Sequence, residues 1–420
     1  MRAALALGCT VHSVSVFARK HYFYPDLPKG YQISQYDRPL ATDGAVVLEG
    51  PVSGRVGIVR VHLEEDAGKS VHESVTDEPQ PPATGIDFNR SGVPLIEIVT
   101  APDITSGAMA AACFSRIREV LVSIGVTDGN MEEGSLRCDA NVSVRRGGTE
   151  PLGVKVEIKN INSFRYVQRA IEFEIERQAA LVIRGGSVVA ETRLWNHASG
   201  ETYSMRTKEE AHDYRYFPEP DLPPLLVTVT RIAELRQTLG ELPEATRERF
   251  VRVYGLPPYD AGVLTQSVAL AAYFEATAAA ANNAKAASNW IMGELLGRLN
   301  TEGRRFDDVP IAADSLARLI RLVESGRITG PIAKQLFERM FAGEGEPEAI
   351  VAAEGLGRID DESAIGALVA QTLANNPKPV AQYREGKRQT FGFLVGQVMK
   401  ASAGKADPER VAAILRRALE

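Results

Sequence analysis

The feature that most constrains this chain is a change of hydrophobic period near residue 230. Upstream, apolar residues alternate in several short runs, the pattern of half-buried strands. Downstream, they recur at steps of three and four, the pattern of helix faces. A chain of 420 residues holds roughly two to four domains at about 100–200 residues each. The period change marks where one architecture gives way to another: 20–230 reads as mixed strand and helix, 231–420 as nearly all helix.

In the first part, strands are expected at Ala45–Leu48, Arg55–Leu63 and Leu95–Thr100. Residues 66–85, rich in Gly, Pro, Asp and Ser, read as loop. Met109, Cys113, Ile117, Val120, Leu121 and Ile124 share one face of a helix over 106–124 that Gly125 stops. Two strands follow. Ser135–Arg145 shows Arg137, Asp139, Asn141 and Ser143 on one face, and Val154–Lys159 shows Lys155, Glu157 and Lys159. Ser163 can cap a long helix ending at Gly185-Gly186. A hairpin follows, Val188–Trp195 with Thr202–Arg206. In the helical part, 301–312 reads as a linker.

Composition narrows the function classes. Hydrophobic residues are 44% and charged residues 24%, which excludes disordered and fibrous chains. No apolar run approaches the 18 or so residues of a membrane span. Met1–Gly8 has the look of a signal peptide, but its apolar run is too short, and it reads as the last turns of a helix. Cys9, Cys113 and Cys138 are too few and too scattered for a disulfide framework, so a cytoplasmic chain with buried structural thiols is expected. The net charge of −6 argues against a protein that coats nucleic acid. Residues 381–420, however, carry eight Lys and Arg against four acids, a local balance of +4.

Three constellations can carry chemistry. Glu97 lies within Leu95-Ile96-Glu97-Ile98-Val99, where an ionised carboxylate is costly unless it faces water, a partner or a metal. It is either a wet-face residue of an edge strand or a ligand or base. Glu132 and Glu133 precede the Arg137/Asp139/Asn141 strand face. Acids and amides suit Mg²⁺, and Lys and Arg beside them suit phosphate oxygens, although a solvated face with ion pairs has the same composition. His62–Lys69 ends like a phosphate-binding loop, but the required glycine position is Glu64. Dinucleotide and serine-elbow motifs are absent. No two of the six histidines have metal-motif spacing. Aromatic runs at His21–Pro28 and Asp213–Pro220 suit either base stacking or anchoring of loops.

Several long runs resemble the B subunit of aspartyl/glutamyl-tRNA amidotransferases, the GatB family. They are Tyr22–Gln35, Ile86–Val99, Met131–Asn141, Lys159–Phe164, Asp213–Pro220 and Gly392–Ser402. The resemblance spans essentially the whole chain. It implies an α+β fold: a mixed-sheet, cradle-type kinase-like domain (1–230), a helical linker domain (231–300) and a YqeY-like helical tail that contacts tRNA (313–420). It implies a cytoplasmic heterotrimer (GatCAB) whose other members are an amidase, GatA, and a small protein, GatC. ATP and Mg²⁺ would be used to phosphorylate the side-chain carboxylate of Glu-tRNA(Gln), Asp-tRNA(Asn) or both. Ammonia from glutamine would then give the amide, a carbon–nitrogen ligase reaction of the EC 6.3.5 class.

On that basis the metal side falls to Glu97, Glu132, Glu133 and Asp139. Lys20, Lys155 and Lys159 join Glu97 as catalytic candidates. Tyr22, Arg90, Arg137 and Asn141 fall to the substrate, and Lys387, Arg388, Lys400 and Lys405 to tRNA. The family's Gly-Leu-Glu-Val-His-Val strand, whose Glu and His help hold Mg²⁺, and its four-cysteine zinc knuckle have no counterpart in the sequence. Ala3–Thr10 resembles the end of the helix that follows them. The sequence therefore reads as starting one strand and one knuckle late. The competing reading is a tRNA-binding and assembly module without catalysis.

Overall fold

The computed structural model describes residues 1–71, 84–147, 151–207, 214–359 and 361–419. Most of the expected 66–85 loop, His72, His212 and Asp213 lie outside them. The chain forms two compact units, Met1–Pro243 and Glu244–Glu420, close to the change of hydrophobic period.

The first unit is mixed α and β. Its strands are β1 (Ala18–His21), β2 (Tyr31–Ser34), β3 (Ala41–Leu48), β4 (Gly54–Glu65) and β5 (Pro94–Thr100). Strands β3, β4 and β5 run antiparallel in that order, with Thr10–Val11 at the edge. Helix α1 (Gly107–Ser123) begins where Ser106 accepts a hydrogen bond from Met109 N, the capping expected of a serine before an apolar period. Met109, Cys113, Ile117, Val120 and Leu121 pack on Val46, Val56, Ile58 and Val61 of the sheet.

A second sheet is built from β6 (Ala140–Val142), β7 (Val156–Lys159), β8 (Glu191–Asn196) and β9 (Glu201–Thr207). Its β7–β8 pair is parallel, which requires a long crossover. Helix α2 (Phe164–Ile183) supplies it, capped by Ser163. Ala110 and Phe114, on another face of α1, join this second core with Ile158, Val167, Ala170 and Trp195. Helix α1 is thus apolar on two sides. Gly107 allows its closest approach to α2, since a Cβ there would lie 2.4 Å from the Gln168 carbonyl oxygen.

Two expectations for this unit are corrected. The strand Ser135–Arg145 shrinks to Ala140–Val142, because only those residues find partners on β7. In the 66–85 loop, Lys69–Val71 pairs with Gly85–Asp87 as a small ribbon.

The second unit is helical. Its main core links α3 (Val268–Ala281), α4 (Ala313–Glu324) and α5 (Gly330–Phe341) around Phe250, Phe274, Leu316, Ile320 and Phe337. Residues 301–312, expected as a linker, are packed instead. Ile311 is buried in this core with Phe306 and Val309 against it, and Tyr273 donates to the Ile311 carbonyl at 3.0 Å. A smaller core joins α6 (Glu362–Asn375), α7 (Thr390–Ala401) and α8 (Pro408–Leu419) through Ile365, Val369, Leu394, Val398, Val411 and Leu415. Arg358 ties to Asp407 at 3.0 Å. Among the described residues no helix is long and apolar enough to cross a membrane.

Candidate active site

The site starts from an irregularity in β4. A register shift between Ile58 and Arg60 adds one residue opposite β5. Because side chains alternate, one extra residue turns every later side chain to the opposite face. Val56 and Ile58 face the apolar core, and beyond the bulge that role passes to Val61. His62 and Glu64 are turned to the other face, where β5 presents Glu97 directly opposite His62.

His62, Glu64 and Glu97 then gather so that a ligand atom from each lies within 4.8 Å of the others. His62 and Glu64 are buried, while Glu97 is exposed. Glu64 accepts hydrogen bonds from Ser34 Oγ at 2.7 Å and Gln32 Nε2 at 3.3 Å, both on β2. His62 Nε2 lies 3.3 Å from Glu64 and Lys20 Nζ 3.8 Å from it. Burial alone would raise the Glu64 pKa, but the His62 bond, the Lys20 charge and the Ser34 hydroxyl together hold it below its ordinary range. Glu64 is therefore an ionised carboxylate in a buried position. Among the described residues His62 Nδ1 is buried with no hydrogen-bond partner, which is unusual for a buried polar atom. One imidazole nitrogen and two carboxylates form a donor set that fits a divalent cation.

An aromatic wall stands beside this group. Strand β1 pairs on one side with β2 and on the other with Phe217–Pro218, which brings the two aromatic runs together. Tyr36 stacks on Tyr216 with centroids 4.2 Å apart, and Tyr22 meets Tyr214 edge-on. Lys20 Nζ lies 5.3 Å from the Tyr214 ring centroid. Burial, with Asp26 and Glu64 nearby, pushes the Tyr22 hydroxyl up to about 12. It stays protonated and reaches Gln32 at 3.5 Å. Burial also raises Tyr216, and the charges of Glu64 and Glu97 add to the effect.

A third cluster sits at the end of β4. Asp66 is buried and receives Arg90 at 2.7 Å and Arg137 at 2.8 Å. Arg90 also donates to the carbonyls of Glu133 and Gly134. Gly134, at φ +76°, permits this contact, since a Cβ there would lie 3.2 Å from the guanidinium. On the second sheet, Lys159 pairs with Asp139 at 3.2 Å and with Glu157 at 3.6 Å.

Residues 1–233 match the GatB/GatE catalytic domain, and residues 272–419 match the GatB domain. The chain belongs to the GatB family. Proteins named as the B subunit of aspartyl/glutamyl-tRNA(Asn/Gln) amidotransferase are similar along their length. The one from Alkalilimnicola ehrlichii is 51% identical over 419 residues, covering 99% of this chain and 87% of its own. That from Bordetella petrii is 52% identical over 425 residues, covering 100% and 88%. That from Thermoanaerobacter pseudethanolicus is 50% identical over 422 residues, covering 100% and 87%.

For this GatB-family chain, the structure places the expected residues unevenly. Of the four acids expected on the metal side, only Glu97 stands in the His62–Glu64–Glu97 group. Asp139 is turned to Lys159. Glu132 and Glu133 lie exposed in a turn organised by Asn130, whose Oδ1 accepts from both backbone N–H groups. They fall outside the group because residues 131–139 are turn and irregular backbone that joins no sheet. Lys20 is in place beside Glu64. Lys155 and Asn141 are exposed on the second sheet. His62, Glu64 and Asp66 are additional site residues. The signal for them was the His-x-Glu-x-Asp alternation, which is a shared strand face once β4 is known to bulge. The thiols of Cys9 and Cys113 are buried and pushed up to about 11 by burial, as structural thiols are.

Proposed function

We propose that this chain is the activating component of a cytoplasmic tRNA-dependent amidotransferase, working in a heterotrimer with the amidase GatA and the small protein GatC. The observation that carries the reading is the joining of His62, Glu64 and Glu97, with Lys20 in contact, inside the part that matches a GatB/GatE catalytic domain. The substrate is the misacylated end of Glu-tRNA(Gln), Asp-tRNA(Asn) or both.

A carboxylate resists ammonia because its oxyanion is a poor leaving group. In the proposed first step the bond between the γ-phosphorus of ATP and its bridging oxygen breaks. The side-chain carboxylate oxygen bonds to that phosphorus, and ADP leaves. Ammonia from the amidase then attacks the acyl carbon, and phosphate departs with the C–O bond electrons, giving the amide. Positioning and charge neutralisation are what such a transfer asks of a protein.

His62, Glu64 and Glu97 would hold Mg²⁺, which when bound offsets the charge of the phosphate oxygens. Lys20 adds a cation beside Glu64, and Lys155 and Lys159 offer two more from the second sheet. Tyr22, protonated at neutral pH, Arg90, Arg137 and Asn141 receive the aminoacyl end and the phosphates. Lys387, Arg388, Lys400 and Lys405 meet the tRNA backbone.

The reassembled heterotrimer tests this reading. With ATP, glutamine and Glu-tRNA(Gln) or Asp-tRNA(Asn), ADP release should depend on the charged tRNA and match the amide formed. Binding of tRNA without any tRNA-dependent ADP release would overturn it in favour of the non-catalytic assembly module.

A further inference from the structure

We propose that Asp66 is a positioning residue that presents the Arg137 guanidinium to phosphate oxygens of the nucleotide. The assignment rests on the reading of the chain as ATP-dependent and adds a device to it.

Two arginines share the Asp66 carboxylate unequally. Arg90 is nearly saturated. Its Nε and Nη2 donate to Asp66 Oδ2 at 3.2 and 2.7 Å, and Nη1 and Nη2 donate to the carbonyls of Glu133 and Gly134 at 3.0 and 3.1 Å. A guanidinium has five N–H donors, so Arg90 acts mainly as a strap between the 88–93 turn and the 130–135 turn. Arg137 differs. Among the described residues it makes one hydrogen bond to protein, from Nη2 to Asp66 Oδ1 at 2.8 Å. Its side chain is 61% exposed, and four of its five donors have no partner among the described residues.

Asp66 itself is well fixed. It is 8% exposed. Its backbone N–H donates to the Val93 carbonyl at 2.8 Å, and its carbonyl accepts from Gly92 N at 2.9 Å. The ladder of β4 with β5 thus extends one residue past the strand. One buried carboxylate against two guanidinium groups leaves the trio with a net positive charge. Of its three members, Arg137 has the most free donors.

Position supplies the ligand class. His62, Glu64 and Asp66 alternate along one extended segment and are all buried. Alternation puts them on one face, Asp66 about 7 Å beyond Glu64. A polyphosphate bound through a cation at His62, Glu64 and Glu97 would extend over several ångströms, and Arg137 stands on Asp66, two residues further along the same segment. A planar fork suits bidentate recognition of phosphate oxygens, and an arginine held by a buried acid loses less side-chain freedom on binding.

The test uses the heterotrimer with Mg²⁺ and compares ATP, ADP and adenosine by equilibrium binding. Arg137→Ala should weaken ATP and ADP about tenfold, the scale of a lost charge-assisted hydrogen bond, and leave adenosine within twofold. Arg137→Lys should recover only part of the loss, because a point charge lacks the fork. Asp66→Asn should reproduce the Arg137→Ala pattern, and the double variant should add little to either. Arg137 is exposed, so its variants keep the test valid if Asp66→Asn fails to fold. ATP affinity unchanged in Arg137→Ala would overturn the proposal, as would equal losses for adenosine or additive single effects. Failure of the unsubstituted heterotrimer to bind ATP would instead remove the functional reading beneath it.

Discussion

The two units bury different kinds of residue. In Met1–Pro243 the buried polar set includes His62, Glu64, Asp66, Glu174, Gln178, Glu191 and Glu219. In Glu244–Glu420 the buried polar side chains among the described residues are all Ser and Thr hydroxyls. Several of these return to the helix: Thr265 donates to the Ala261 carbonyl at 2.7 Å and Thr277 to Tyr273 at 2.9 Å. A buried hydroxyl bonded to its own helix costs little. A buried carboxylate is costly unless cations and donors surround it. The first unit thus carries ionised groups in fixed places, as chemistry requires. The second, among the described residues, buries no ionisable side chain.

The sharpest way to break this contrast is Glu97→Gln. If the buried charges of the first unit serve chemistry, this change at an exposed position should lower tRNA-dependent ADP release by about a hundredfold or more and leave tRNA affinity within about twofold. Quench-flow or coupled ADP assays beside filter binding of tRNA separate the two. Equal losses in both would make Glu97 structural and dissolve the distinction between the units.

The complementary change in the second unit is Phe274→Ala. Phe274 is fully buried, 4.9 Å from the Phe250 ring and 5.3 Å from that of Tyr254. Its truncation should cost about 3–5 kcal/mol, read as a shift in the denaturation midpoint of the helical unit. Equilibrium binding of ATP with Mg²⁺, assigned above to the first unit, should not change. A loss well below that range would mean the helical core collapses readily around the gap.

Acid should weaken the first unit through two carboxylates that folding holds ionised. The Arg19 hydrogen bond, outweighing burial, holds Glu219 below its ordinary 4.5. Glu191 is held low as well, where bonds from Ser204 and Arg193 overcome burial. A carboxylate lowered on folding adds stability that is complete above its unfolded pKa and is lost as pH falls through the folded value. These contributions are therefore whole at pH 6 and fade below about pH 4.5. Glu219→Gln should cost about 1–3 kcal/mol at neutral pH and flatten the acid limb between pH 5 and 3, followed by near-ultraviolet dichroism. An unchanged limb would show that the Arg19–Glu219 pair is equally formed in the unfolded chain.

This difference between the units also explains what could be read from sequence. Periodic faces with local caps were legible: Ser106 and Ser163 cap the helices expected after them, and Leu316, Leu319 and Ile320 are buried as their spacing implies. The site was legible only in part. Glu97 stood out as an acid in an apolar strand, but its partners His62 and Glu64 lie more than thirty residues away. They face it only because of a bulge that simple alternation conceals. The strand expected at Ser135–Arg145 failed for a similar reason. Its alternation is real, but β7 offers partners to Ala140–Val142 alone, and Arg137 and Asp139 are engaged by Asp66 and Lys159. The 301–312 stretch reads as a linker by composition, but long-range packing of Ile311 and Phe306 decides the matter.

The smallest expected effects lie on the tail. Lys387, Arg388 and Lys400 are exposed and Lys405 is half-buried. Helix α8 is braced against α7 where Arg416 lies 5.3 Å from the Phe391 ring centroid. If the charges bind phosphate one by one, each single Ala substitution should weaken tRNA binding only about two- to fourfold at moderate salt. It should also reduce the slope of log affinity against log salt by somewhat under one. Replacing all four together should remove most of the tail's salt dependence while the apolar core of Ile365, Leu394 and Val411 stays folded. A single substitution that costs a hundredfold would point to a specific pocket in the tail instead of a surface. That would place in the second unit the kind of fixed charge that its interior lacks.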